Sequence, residues 1–302
     1  MLHIDSLTKV YRRGVRANDG ISLDVGAGQV TGLLGHNGAG KTTLLHQVVG
    51  LVRPSAGRIR LLGRDPVADP AYARTACSFQ PQAQAPLTGV TARQAIEIVG
   101  RIRGGARRAV RGRTAELLAA LNIEEWADAP AERLSGGVRR LTAFCMAIVA
   151  PGRLVMLDEP TNDVDPVRRR LLWEQVRALA AAGHAVVLVT HNIAEAERAI
   201  DQVVVLDHGR VVAAGSPASL AAGHEMRLEV TARAGGPPGW ARTVHRDGDR
   251  LTVTLAAADA PRAVAWAQLH ADRFALHPAG LEEVYVGLTD APEGADRAPL
   301  VP

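Results

Sequence analysis

Residues 35–43 read GHNGAGKTT. They fit the pattern G-x-x-x-x-G-K-(S/T) in the setting that gives it meaning. An apolar run, QVTGLL (29–34), precedes them, and a helix is expected from about Thr42 to Val49. Gly35, Gly38 and Gly40 let the backbone wrap closely around phosphates, with Asn37 and Thr43 completing the wrap. Inward-pointing amides make such a loop a nest for negative charge. Lys41 brings a compact cation to the β- and γ-phosphates of a nucleotide, and Thr42 offers its hydroxyl to Mg²⁺. The chain has two lysines, Lys9 and Lys41, against 33 arginines. Lysine persists here because a planar guanidinium does not fit a wrapped loop.

The surrounding pattern agrees. LHID (2–5), ISLDV (21–25) and RIRLL (58–62) read as strands, and residues 91–149 as mostly helical. From Leu154 the order becomes LVMLD, PVRRRLLWEQVRALAAAG, AVVLVT, NIAEAERAI and QVVVLD. Strands alternating with helices imply an α/β fold with a mostly parallel sheet covered on both faces. RLVMLDEP (153–160) is an apolar strand ending in two carboxylates. Asp158 is placed to hold the Mg²⁺ shell, and Glu159 to polarise an attacking water.

RLSGGVRRL (133–141) raises a question. A serine and two glycines open a helix expected over Val138 to Val149, which also suits an anion. One chain thus carries two phosphate-binding stretches.

The loop, LSGG and LDEP, in this order and spacing, resemble the ABC-type ATPases over residues 1–220. The resemblance implies a P-loop NTPase cassette with an antiparallel β subdomain and a helical subdomain at about 88–150. It also implies a homodimer with ATP at its interface. Leu134, Ser135, Gly136 and Gly137 would contact the γ-phosphate of the partner's ATP, and each anion site is then half of a composite one. By the same resemblance Tyr11 stacks on adenine, Asp165 lies in the loop crossing the dimer interface, and His191 meets the γ-phosphate. Gln82 touches Mg²⁺ and water and senses the membrane partner; Gln80 and Gln84 are its rivals. Lys41, Asp158, Glu159 and His191 are all present, so the chain is expected to be an active ATPase. Two positions depart from the family pattern: Val138, where Gln or another polar or flexible residue is usual, and Asp163, where glycine is common.

Composition bounds the rest. Apolar residues make up 47% and aromatics 3%, so aliphatic side chains must carry the core. Cys77 and Cys145 lie in apolar contexts and read as buried thiols. No run approaches the ~18 apolar residues of a membrane span. With no secretory signal either, the chain is expected on the cytoplasmic side. Residues 1–216 carry 27 basic and 20 acidic side chains, and residues 217–302 carry 8 and 11. This shift marks a second domain, a small α+β one over 221–290, with 291–302 a disordered tail. There is no concentrated basic stripe of a nucleic-acid binder. RIRGGARRAVRGR (101–113) holds six arginines, read as a solvated face or a contact to lipid headgroups or an acidic partner.

HPAGLEEVYVGLTDA (277–291) resembles the ending of ATPases from drug and natural-product (ABC-2 type) exporters. The resemblance implies a separate permease, peripheral attachment at the cytoplasmic face of the membrane, and export of a small molecule. A soluble ABC ATPase unconnected with transport and an importer motor are the alternatives. The C-terminal domain could instead be a ligand sensor.

Overall fold

The computed structural model describes residues 1–83, 87–221, 225–232, 239–277, 280, 281 and 285. The chain divides into two compact units, the first covering Met1–Ala214 and the second beginning at Gly215.

The first unit is built on a six-stranded sheet. Its strands are β3 (Val30–Leu34), β5 (Cys77–Gln80), β6 (Leu154–Asp158), β7 (Ala185–Val189), β8 (Gln202–Asp207) and β9 (Arg210–Gly215). They lie in the order β5-β6-β7-β3-β8-β9. The pairs from β5 through β8 are parallel. Every residue of β3, β6 and β7 is buried, which is why these strands read as unbroken apolar runs. A two-residue turn, His208-Gly209, joins β8 to β9 and so makes them antiparallel neighbours.

A second sheet of three antiparallel strands orders β2 (Arg16–Val25), β1 (Leu2–Val10) and β4 (Ala56–Leu61). Helix α1 (Lys41–Val48) lies between the sheets. Its Leu44, Leu45 and Val48 join Ile4, Ile21 and Ile59 from one sheet with Leu33, Met156 and Val187 from the other. Among the largest fully buried side chains of the described residues only Phe144 is aromatic, as an aliphatic composition requires.

Three helices form the region before β6: α3 (Ala92–Ile102), α4 (Arg107–Ala120) and α5 (Gly136–Ile148). Thr91 and Gln94 close a capping box on α3, and Ser135 caps α5. The six-arginine stretch is not wholly a solvated face. Arg103 is half-buried and donates to the carbonyls of Ala150 at 2.6 Å and Cys77 at 3.0 Å, fastening α3 to the sheet edge. Burial lowers its pKa. Burial likewise pushes both thiols up, Cys77 and Cys145 each to about 12.

In this unit β5 and α2 (Pro70–Ala76), which Asp69 caps, carry no clear sequence signal. After β6 come α6 (Pro166–Ala181) and α7, which covers only Ile193–Ala196 of the longer helix expected over 192–200.

The second unit opens with α8 (Pro217–Ala221). Its antiparallel sheet orders β11 (Thr243–Asp247), β12 (Arg250–Leu255), β10 (Met226–Ala232) and β13 (Ala271–His277). Ala263 and Ala267 of α9 (Ala260–His270) pack on Leu228, Val230, Leu251 and Val253. β13 escapes sequence reading because most of it is exposed or half-buried. The tail and most of the stretch over 277–291 lie outside the described residues.

Candidate active site

The loop between β3 and α1 takes its shape from glycine. Gly35, Gly38 and Gly40 have φ of 155°, 91° and 99°. At Gly40 a Cβ would come within 2.1 Å of Ala17 O, so neither torsion nor space admits a side chain. At Gly38 a Cβ would meet nothing within 4 Å, because the residue faces open space. That space is a cavity of about 410 Å³. It is lined by Ala17, Asn37, Gly38, Gly40, Lys41, Thr42, Thr43, Gln82, Asp158, Glu159 and Val189. Residues remote in sequence thus converge on one hollow.

Lys41 Nζ donates to Gly35 O at 2.5 Å and His36 O at 3.0 Å. Burial lowers its pKa, and Glu159 and Asp158 push it back up. Across the cavity, Thr42 Oγ1 donates to Asp158 Oδ2 at 3.4 Å. Burial, then the neighbouring Glu159 charge, raise the Asp158 pKa, with Thr42 and Lys41 opposing. A hard divalent cation takes oxygen ligands, and a threonine hydroxyl beside a buried carboxylate supplies them.

The raised pKa has a consequence for stability. The folded chain holds the Asp158 proton more tightly than the unfolded chain does. Ionisation therefore costs stability as pH rises from the ordinary carboxylate value through the raised one. Asp158→Asn removes that charge and is expected to stabilise the nucleotide-free protein by about 0.5–2 kcal/mol while abolishing hydrolysis. The thermal midpoint without nucleotide measures this. An unchanged or lower midpoint would mean that Lys41 and Thr42 already neutralise the carboxylate.

Glu159 follows directly, is 7% exposed, and has a left-handed φ of 52°. Such backbone costs about 1–3 kcal/mol in a non-glycine residue and collects at functional sites. His191, just beyond β7, donates from Nδ1 to Glu159 Oε2 at 2.9 Å. The pair fixes where the carboxylate points.

Of the three candidate glutamines, Gln80 is buried and its amide donates to Arg140 O at 3.4 Å, while Gln84 lies outside the described residues. Gln82 is exposed and lines the cavity. Its carbonyl accepts from Arg140 Nη2 at 2.7 Å, and that of Pro81 from Nη1 at 3.2 Å. Arg140 belongs to α5, so one buried guanidinium ties the Gln82 loop to the helix that Ser135 opens. Sequence reading missed it among 33 arginines. Asn18 was missed too. Fully buried, it donates to Gly40 O at 3.1 Å and accepts from Gln47 at 2.7 Å, bracing the loop from behind.

Ser135, Gly136, Gly137, Tyr11, Asp165 and His191 are not among the cavity-lining residues. Ser135 accepts from Val138 N at 3.3 Å. Val138 is 4% exposed, so its apolar side chain packs inward. Gly137 permits close approach to the next loop, since a Cβ would lie 2.5 Å from Asp163 O. Asp163 has φ 63°, the reason glycine suits that position. Asp165 caps α6 through Val167 N and Arg168 N and pairs with Arg168 at 2.9 Å. Burial alone would raise the Asp165 pKa, but these hydrogen bonds outweigh it and hold it low. Tyr11 is 41% exposed, with its hydroxyl 3.5 Å from Thr43 Oγ1 and the Lys9 ammonium 5.1 Å from its ring centre.

Comparison with known proteins gives this arrangement its context. The family model described as ABC transporter matches residues 18–162. A daunorubicin/doxorubicin resistance ATP-binding protein of Streptomyces peucetius is 34% identical, over 96% of this chain and 93% of its own length. A Nod factor export ATP-binding protein I of Ralstonia nicotianae is 37% identical, over 76% of this chain and 71% of its own. A solved ATP-binding subunit of an ABC transporter superposes with a TM-score of 0.69 at 25% identity, covering 73% of this chain and 91% of that one. A likeness running nearly end to end reaches well past the phosphate loop, and the chain belongs to the ABC transporter family as an ATP-binding, ATP-hydrolysing subunit.

Proposed function

We propose that this chain is the motor of a small-molecule exporter, working as a two-fold pair that closes around two ATP molecules at a separate permease. One observation carries the composite-site reading. The serine and two glycines that open α5 lie outside the cavity formed by Lys41, Asp158 and Glu159 of the same chain. An anion-suited helix start that does not serve its own cavity is available to a second copy.

In this reading Gly35, Asn37, Gly38, Gly40, Lys41, Thr42 and Thr43 hold the phosphates and Tyr11 stacks on the base. Thr42, Asp158 and Gln82 hold Mg²⁺, which neutralises phosphate charge when bound. Glu159 takes a proton from the attacking water, and His191 orients Glu159 and reaches toward the γ-phosphate. Ser135, Gly136 and Gly137 grip the partner's γ-phosphate, and Asp165 keeps the intervening loop in shape. Closure is favoured because that phosphate is held from both sides only in the closed state. Arg140 passes the α5 position to the Gln82 loop, and thence to the permease at the cytoplasmic face of the membrane. Residues 1–220 form the motor, and 221–290 a separate domain.

Export rests on the relatives' roles. Inverted membrane vesicles carrying the chain and its permease are expected to accumulate daunorubicin or a similar amphipathic compound when given ATP. Uptake only by right-side-out vesicles loaded with ATP would mean an importer, and none in either orientation would remove the transport reading.

A further inference from the structure

The turn between β8 and β9 lies directly behind the phosphate loop. Gly209 N donates to Ala39 O at 3.2 Å, and a Cβ at Gly35 would come within 2.5 Å of Leu206 O. Three metal-ligating side chains converge on this seam. His36 is the second residue of the loop, Asp207 ends β8, and His208 sits in the turn. One ligand atom from each lies within 4.8 Å of the other two. Asp207 Oδ1 is 3.2 Å from His36 Nε2 and 3.8 Å from His208 Nε2, and the two rings are 5.1 Å apart.

The protons on His36 decide what this means. Its Nδ1 lies 2.8 Å from Asn37 O, and a carbonyl can only accept, so Nδ1 is the donor. In the neutral ring, Nε2 then presents a lone pair. That atom is buried and has no hydrogen-bond partner. The nearby carboxylate stands at ion-pair distance but out of line for a hydrogen bond. A ring-nitrogen lone pair and a carboxylate facing each other across this partly exposed seam offer two ligand atoms to a cation. A ring whose other N–H is fixed on a carbonyl is also the usual setting of a metal-ligating histidine.

We propose that His36, Asp207 and His208 form a binding site for a first-row divalent cation, zinc above all, which clamps the phosphate loop to the β8–β9 turn. Two imidazoles and one carboxylate suit that class and leave a fourth position for water. With bonds of about 2.0–2.2 Å, tetrahedral ligand atoms stand about 3.4 Å apart. The observed 3.2 and 3.8 Å straddle this value. His208 is 73% exposed, so its ring is free to make the remaining adjustment. Thr42 and Asp158 offer only oxygen and belong to a different, harder cation.

The test uses the untagged full chain, freed of metal and held in excess Mg²⁺ to occupy the oxygen site. Co²⁺ is titrated in for its visible absorption, then displaced by Zn²⁺, with affinity measured by calorimetry. One Zn²⁺ per chain is expected, with a tetrahedral Co²⁺ spectrum. His208→Ala and Asp207→Asn should each weaken Zn²⁺ binding at least about 10-fold, and Asp158→Asn should leave it unchanged. Zn²⁺ should also slow amide exchange over 36–39 and 206–209 in the parent but not in His208→Ala. No binding up to millimolar Zn²⁺, binding indifferent to both substitutions, or binding lost with Asp158→Asn would each overturn the site.

Discussion

Glu159→Gln is expected to slow ATP hydrolysis about 1,000-fold while ATP still binds, and in ATP the variant is expected to run as a dimer. The loss has the size expected when a positioned general base is removed. The substitution is mild in shape. Glutamine fills the same buried space, and its amide oxygen still accepts from His191 Nδ1, which holds Glu159 at 2.9 Å. What it cannot do is take a proton from water. If the γ-phosphate is the bridge between two chains, a chain that cannot cleave it should remain bridged. Single-turnover hydrolysis and light scattering with and without ATP read both halves. Hydrolysis within about tenfold of the parent would remove Glu159 from the role of base. A monomer in saturating ATP would remove the bridge.

Lys41→Ala and Ser135→Arg are each expected to abolish turnover, for different reasons. Lys41 is held in the loop by two carbonyls and aimed at a cavity with two carboxylates. Truncating a half-buried, hydrogen-bonded charge that meets the phosphates costs about 3 kcal/mol, roughly 100-fold in ATP affinity. Ser135→Arg should leave ATP affinity nearly intact, because Ser135 is not among the residues lining its own chain's cavity. It replaces a small helix cap, at a cost of about 1 kcal/mol in stability, with a bulky cation where the partner's phosphate must fit. Equilibrium binding of a fluorescent ATP analogue to each monomer separates the two.

The sheet was legible where burial is complete. VTGLL, LVMLD and AVVLV have no exposed side, so their hydrophobicity announces central strands. The glycines of the loop were legible because their torsions admit little else. Short or half-exposed elements were not. β5 is four residues long, and β13 alternates too weakly to register. The expected helix over 192–200 shrank to Ile193–Ala196, since four helical residues are as little as one turn needs. Arg140 and Arg103 could not be told from surface arginines, because an arginine's role is set by the carbonyls that the fold brings to it. The residues alone did not separate Gln80 from Gln82, and only the family resemblance favoured Gln82. Their alternation on and after β5 turns one into the core and leaves the other at the cavity.

Mixing two inactive chains tests the composite site most directly. Lys41→Ala retains a sound serine cap, and Ser135→Arg retains a sound phosphate loop. In a mixed pair those two intact halves meet, and random pairing restores about a quarter of the parent's sites. The account predicts ATPase activity from the mixture, rising with the fraction of mixed pairs, when neither variant alone has any. A mixture as dead as its components, in which mixed dimers are shown to form, would place both halves in one chain and contradict the account.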